Sequence, residues 1–234
     1  TDGCAKDVRR AFIEMKDKGM KGFVLDLRSN GGGSVQEAVN IVNMFVPKGV
    51  TILKQRGRMK RDNRDYLRTV EPLDTVMPMV VLVDDDTASA SEITCGSLQD
   101  LDRALVLGTR TYGKGLVQGT MDISYNGQMK FTTSKYYIPS GRCIQKPYEK
   151  GHDEEYENEL MARYERGEFF SQDSIHQEGP SFKTRIGRTV YGGGGIVPDV
   201  FIPEDTTAVT SYYREALFTG LIRQFAFAYT SPLY

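Results

Sequence analysis

Three hydroxyls crowd the end of an apolar run: Thr87, Ser89 and Ser91 in "DDTASASEIT", directly after "MPMVVLV". Ser89 and Glu92 form an S-x-x-E box, which by itself reads as a helix N-cap at a strand-to-helix junction. The same place suits a nucleophile, because the unpaired N–H groups and positive dipole end of a helix can steady a developing oxyanion. A serine hydroxyl is inert until a base takes its proton. The two histidines, His152 and His176, both fall in a charged stretch far from any core motif, which reads as solvated. The other base available is lysine, since burial disfavours the ammonium and leaves an amine able to accept a proton. Lys114 in "TYGKGLVQ" follows the apolar strand "RALVLG" and lies between two glycines, which let backbone pass close to another element. A lysine in a turn is equally read as solvated; the pairing of the two signals favours the chemical reading.

The elements that would position these residues follow from periodicity. "AKDVRRAFIEMKDKG" has helical spacing and ends at Gly19; "GFVLDL" is a buried strand; "RSNGGGS" is a turn; "VQEAVNIVNMFV" is an amphipathic helix stopped by Pro47. "VTILKQRGR" and "MPMVVLV" read as strands, "SEITCGSLQDL" as a helix, and "RALVLGT" as a further strand. Strand and helix alternate, and the strands are continuous apolar runs, so a largely parallel sheet covered by helices is expected. "LVQGTMDIS", "YNGQ" and "MKFTTSKYYI" predict a hairpin turning at Asn126-Gly127. "HDEEYENELMARYERGE" predicts a polar helix with a Glu159–Arg163 pair at i,i+4 and a solvated face. "GGGGIVPDVFIP" returns to the core, and "SYYREALFTGLIRQFAFAYT" reads as one amphipathic last helix. The expected division is 1–145 for the first part of the core, 146–190 for a polar surface insertion, and 191–234 for the last part of the core with its helix.

Composition narrows the class. The 234 residues are 39% hydrophobic and 26% charged with net charge −1, an ordinary globular balance. A near-neutral chain is a poor fit to a nucleic-acid partner, which selects for a basic surface. No apolar run approaches the roughly 18 residues of a membrane span. Cys4, Cys95 and Cys143 are widely spaced, without a CxxC pair, and read as small buried hydrophobes.

Five blocks taken together, "GFVLDLRSNGGG", "VLVDDDTASASEITCGSLQD", "RALVLGTRTYGKGLVQ", "FTTSKYYIPSGRCIQ" and "GIVPD", resemble the carboxyl-terminal processing peptidases, or tail-specific proteases. The resemblance implies a crotonase-like α/β fold of ββα units, here with an added hairpin and the charged insertion. It implies a serine endopeptidase acting near apolar C-terminal tails through an acyl-enzyme. Ser89 would be the nucleophile, Lys114 the base, Gln118 the residue orienting that base, Gly32 and Ala90 the oxyanion-hole amides, and Asp100 a supporting residue. The "NGGG" turn is a poor phosphate loop, since no Lys-Ser/Thr follows it. Ser91 would pack or cap instead of attacking. The resemblance requires no metal and no cofactor. The partners it implies are an extended protein or peptide substrate and a PDZ domain upstream of the core and outside these residues, and it admits self-association. The compartment it implies is a bacterial cell envelope or periplasm. The alternative reading is a non-proteolytic ligand- or peptide-binding module of the same fold, against which the retained Ser89, Lys114 and Gln118 speak; a CoA-dependent crotonase-type enzyme would lack that pair.

Overall fold

The computed structural model describes residues 2–67, 71–176, 179–205 and 210–230. The chain divides into two units, Thr1–Pro203 and Glu204–Tyr234. In the first unit, helix α1 (Cys4–Asp17) leads into strand β1 (Phe23–Asp26), and α2 (Val35–Asn43) follows the glycine turn. Next come β2 (Thr51–Gly57), β3 (Arg64–Leu67), β4 (Met79–Val83), α3 (Ala90–Asp100) and β5 (Leu105–Gly108). The hairpin is β6 (Leu116–Ile123) and β7 (Gly127–Tyr137). Two short helices, α4 (Asp153–Glu157) and α5 (Glu159–Glu165), precede β8 (Ser181–Lys183), β9 (Thr189–Tyr191) and β10 (Val200–Phe201).

Four strands make the expected parallel sheet, in the order β1-β4-β5-β10. The strand read from "VTILKQRGR" does not join it. β2 lies in a second, antiparallel sheet ordered β3-β2-β7-β6. Its composition explains why: only Ile52 and Leu53 are buried, and the polar residues after them suit a sheet with one wet face. Every residue of α3 is buried. Its Ser97 Oγ donates to the Ile52 carbonyl at 3.1 Å, and a Cβ on Gly96 would come within 2.6 Å of Ile196 and 2.8 Å of Ile138. The helix is therefore locked on several sides, and Ser89 at its start inherits that rigidity. Phe12, Phe23 and Phe45 form an aromatic cluster between α1, β1 and the end of α2, with centroids 5.2–5.5 Å apart.

Three expectations need correction. The hairpin turn centres on Tyr125-Asn126, both at positive φ (61° and 55°), one residue earlier than expected. Gly127 instead faces Ile123, whose Cγ1 would lie 3.0 Å from a Cβ there. The polar helix is two helices meeting at Asn158, and its segment is no solvated face: Lys146, Arg163, Glu168 and Phe169 are buried. Arg163 pairs with Glu168, not Glu159, at 3.1 Å, while Glu159 faces Lys146 and Arg110. The second unit holds two helices, α6 (Ser211–Phe218, capped by the Thr210 hydroxyl) and α7 (Leu221–Thr230), where one was expected. Gly220, at φ +70°, interrupts them.

Candidate active site

β4 ends at Val83, and the chain turns through residues 84–88 before α3. At the corner Ser89 has φ 57° and ψ −117°, a conformation that non-glycine residues adopt only when the surroundings enforce it. The enforcement is visible. Ser29 N donates to both Asp84 carboxylate oxygens at 2.9 and 2.8 Å, Thr87 Oγ1 donates to the Leu27 carbonyl at 2.8 Å, and Ala88 N donates to the Asn30 carbonyl at 3.1 Å. The glycine turn after β1 is thereby sewn to the serine corner. A sharp strand-to-helix turn of this kind presents a hydroxyl outward.

Glu92 organises both halves of the site. Its side chain is fully buried, and one oxygen, Oε2, accepts from Ser89 N and from Lys114 N, each at 2.8 Å. The other, Oε1, accepts from Thr111 Oγ1 at 2.5 Å and Gly113 N at 2.7 Å. Thr111 Oγ1 in turn accepts from Ile196 N at 2.7 Å, so its own proton points at the carboxylate. Burial pushes the Glu92 carboxyl above its usual range, and the four donors pull the other way. The sequence showed this residue only as a helix cap. Its distance in sequence from Lys114 concealed the second role.

Lys114 is half-buried. Both flanking glycines are needed for close backbone approach, as expected: a Cβ on Gly113 (φ +90°) would lie 3.1 Å from Gly195 N, and one on Gly115 would lie 2.7 Å from Gln145 N. The Tyr136 hydroxyl donates to the Lys114 carbonyl. Burial raises the Tyr136 phenol well above its ordinary value, and the adjacent Ser89 hydroxyl opposes that rise. Tyr136, which sequence reasoning did not single out, thus touches both loops. The Ser89 and Lys114 side chains share no direct hydrogen bond among those of the described residues.

The predicted oxyanion donors are adjacent. A Cβ on Gly32 (φ +92°) would fall 2.6 Å from the Ala88 carbonyl oxygen, 2.7 Å from Ala90 N and 3.0 Å from Ser89 Cβ, so only glycine fits there. Ala90 N opens α3 and belongs to the amides that have no intrahelical partner. Gly32 N is engaged, donating to Asn30 Oδ1 at 3.1 Å, and Ser91 Oγ donates to the same oxygen at 3.0 Å. Ser91 therefore holds the glycine turn, consistent with a packing role.

Two predicted residues stand apart. Gln118 is exposed on β6, opposite Thr132 of β7, and its side chain makes no hydrogen bond among those of the described residues. Asp100 closes the eleven-residue α3, which at ~1.5 Å per residue puts it about 16 Å along the axis from Ser89. There it pairs with Arg142 at 2.8 Å and accepts from Ser140 N at 2.9 Å, fastening the "PSGR" turn. His152 and His176 bond locally to Glu155 and the Ser174 carbonyl. Cys95 is fully buried, and Cys4 and Cys143 are half-buried; all three are free thiols. Among the described residues no group of His, Cys, Asp or Glu is arranged to hold a metal, and no helix is long and apolar enough to cross a membrane.

Known proteins are similar to this chain in sequence and in fold. The chain is 38% identical over 149 residues to a carboxy-terminal-processing protease of Bartonella bacilliformis, a match covering 62% of this chain and 34% of the relative. It is 40% identical over 138 residues to a chloroplastic C-terminal processing peptidase of Tetradesmus obliquus, covering 59% and 29%. The chain thus spans about a third of the length of the curated relatives it matches. Among solved structures, a photosystem II D1 C-terminal processing protease superposes with a TM-score of 0.61 at 27% identity, over 88% of this chain and 41% of that one. Residues 2–154, well over half of the sequence and the part that carries Ser89, Glu92 and Lys114, match the model of peptidase family S41, and the chain belongs to that family.

Proposed function

We propose that this chain carries the proteolytic centre of a C-terminal-processing serine endopeptidase with a Ser89–Lys114 dyad on a crotonase-like core. One observation carries the reading: a single buried carboxylate oxygen, Glu92 Oε2, accepts from the backbones of both Ser89 and Lys114, so the fold fixes the two loops against each other. In the reaction, Lys114 Nζ takes the proton from Ser89 Oγ as that oxygen bonds to a peptide carbonyl carbon. The carbonyl electron pair moves to oxygen, which Ala90 N and a Gly32 N released from Asn30 receive. Collapse expels the amine, which takes the proton from Lys114, and water then hydrolyses the ester with Lys114 again the base. Gln118, on β6 four residues after Lys114, orients that lysine, and Asp100 supports the dyad at a distance through the "PSGR" turn.

Substrates are protein chains bound extended, taken near apolar C-terminal tails. The domain plan is a core, 1–145 and 191–203, with the 146–190 segment in the same unit; 204–234, expected to complete the core, forms a separate unit with two helices. In the whole protein an upstream PDZ domain captures the tail, copies of the chain associate, and the site of action is a bacterial envelope. The test is cleavage of an unfolded protein by the full-length protein and by its Ser89→Ala and Lys114→Ala variants, with folding of each checked by circular dichroism. Loss of cleavage in both variants is expected. Undiminished cleavage by either overturns the dyad.

A further inference from the structure

The segment between "CIQ" and "GIVPD" encloses a cavity of about 500 Å³, lined by Arg110, Lys146, Glu159, Arg166, His176 and the glycine turn 192–195. Two of its cations are well over nine-tenths buried: Arg110 is 8% exposed and Lys146 3%. Burying cations is costly unless counter-charge meets them. Here the compensation is incomplete. Arg110, Lys146, Arg163 and Arg166 cluster around two carboxylates, Glu159 and Glu168. Glu168 is committed to three arginines, at 2.7 Å from Arg110, 3.1 Å from Arg163 and 3.2 Å from Arg166. Glu159 is shared loosely, 3.5 Å from Arg110 and 3.5 Å from Lys146. Asp85 also acts on Arg163 but does not line the cavity.

Among the described residues Arg110 Nε is buried with no partner. The same guanidinium lies against the glycine turn, where a Cβ on Gly194 would come within 3.0 Å of Nη1. Among the described residues Lys146 Nζ bonds the Tyr156 carbonyl at 3.0 Å and Glu159 at 3.5 Å, with the Tyr112 and Tyr156 rings each 4.4 Å away. Burial lowers the proton affinity of both Arg110 and Lys146, and Arg163 adds to this, while Glu159 opposes it at both and Glu168 at Arg110.

We propose that this cavity is a binding site for a small oxyanion, a carboxylate or a phosphate on a compact organic body. The volume exceeds that of a bare ion and lies in the range of small-molecule sites. Arginine forks supply the planar donors that carboxylates and phosphates share. The site backs onto the loop of Lys114, because Lys146 N donates to the Gly113 carbonyl at 2.9 Å. Most of its lining lies beyond residue 154, where the family match ends.

The test is calorimetric titration of the intact chain with inorganic phosphate and, separately, succinate, against sodium chloride at equal ionic strength. Saturable one-to-one binding of at least one anion is expected; phosphate alone assigns a phosphoryl ligand, succinate alone a carboxylate, and both a general oxyanion site. Arg166 and Glu159 have 41% and 26% exposed side chains, so both can be changed without opening the buried Arg163–Glu168 pair. Arg166→Gln weakens binding by a factor of roughly five, and Glu159→Gln tightens it by about the same factor by removing the one carboxylate among the lining residues. Heats no different from chloride, or an affinity unmoved by Glu159→Gln, overturn the proposal. Turnover is not read, so failure here leaves the peptidase reading untouched, and the reverse holds as well.

Discussion

Two buried glutamates, Glu92 and Glu168, are 0% and 2% exposed and are satisfied in opposite ways. Glu92 is surrounded by neutral donors: three backbone amides and the Thr111 hydroxyl. Glu168 is surrounded by arginine side chains. Backbone donors are placed by the path of the chain, so Glu92 reports whether the serine corner and the lysine loop are correctly joined. Arginines are carried on long side chains, so Glu168 reports only whether residues 159–168 lie on the core. The first belongs to chemistry, the second to attachment.

Replacing Glu92 by Gln tests that distinction with the largest effect. The amide nitrogen must face two donors, leaving two charge-assisted hydrogen bonds lost and a donor opposed to donors. A loss of about 4 kcal/mol is expected in urea unfolding. Cleavage should fall about a hundredfold in kcat/KM in the molecules that remain folded, because small displacements of the reacting groups are amplified in rate. A variant that unfolds more easily yet cleaves at the native rate would separate Glu92 from the site.

Glu168→Gln comes next, at about 3 kcal/mol, since it leaves Arg110 and Arg163 buried with too little counter-charge. Here rescue is possible. The double variant Arg163→Met/Glu168→Leu removes one buried cation together with the carboxylate and should recover part of the loss, the remainder being Arg110, which keeps only the looser Glu159. No single side-chain change can rescue Glu92→Gln in full, because three of its four partners are backbone amides. If the double variant is no better than Glu168→Gln, the comparison between the two carboxylates fails.

The same contrast explains what could be read beforehand. The parallel sheet was legible because "GFVLDL", "MPMVVLV" and "RALVLG" are apolar runs bounded by turns. The Ser89 and Lys114 candidates and the close backbone approach at glycines 113 and 115 were read from local pattern, while the need for glycine at 32 came with the resemblance. Glu92 was visible as a cap, but its hold on Lys114 depends on a chain crossing that no local pattern records. Strand β2 misled because four apolar or β-branched residues in "VTIL" look alike in either sheet. The 146–190 segment misled most, because a charge run reads as solvated, and only tertiary placement turns Arg163 and Glu168 inward. Asp100 and Gln118 came from the resemblance alone, and the fold places the first at the far end of α3 and the second in solvent.

A third carboxylate combines both kinds of support. Asp74 Oδ1 accepts from Val76 N at 2.9 Å and Met77 N at 2.7 Å, and Oδ2 accepts from Lys16 Nζ at 2.7 Å. Burial works to raise its pKa, but the Lys16 ammonium and the two amides outweigh it and hold it at about 2. A folded pKa below the ordinary value adds stability above about pH 4, which is lost as pH falls towards 2. The expected contribution is about 2 kcal/mol. The stabilities of the native chain and Asp74→Asn in urea unfolding should differ by that amount near pH 6, as a rough working point, and converge only as pH falls through about 2. A gap that stays constant with pH would assign the effect to packing alone.

The smallest effect belongs to Arg166→Gln. Arg166 is the outermost partner of Glu168, 3.2 Å away with a 41% exposed side chain, and Arg110 and Arg163 already satisfy that carboxylate. An exposed member of an otherwise complete network adds little, so the unfolding midpoint should move by less than about 0.5 kcal/mol, and less still in high salt. The change in oxyanion affinity should nonetheless be plain, because Arg166, besides its contact with Glu168, lines the cavity. Flat stability with weakened binding is the combination that distinguishes a cation kept for a ligand from one kept for the fold. A stability loss as large as that of Glu168→Gln would mean instead that Arg166 belongs to the attachment, and would leave the cavity with one fewer free cation than its charge balance requires.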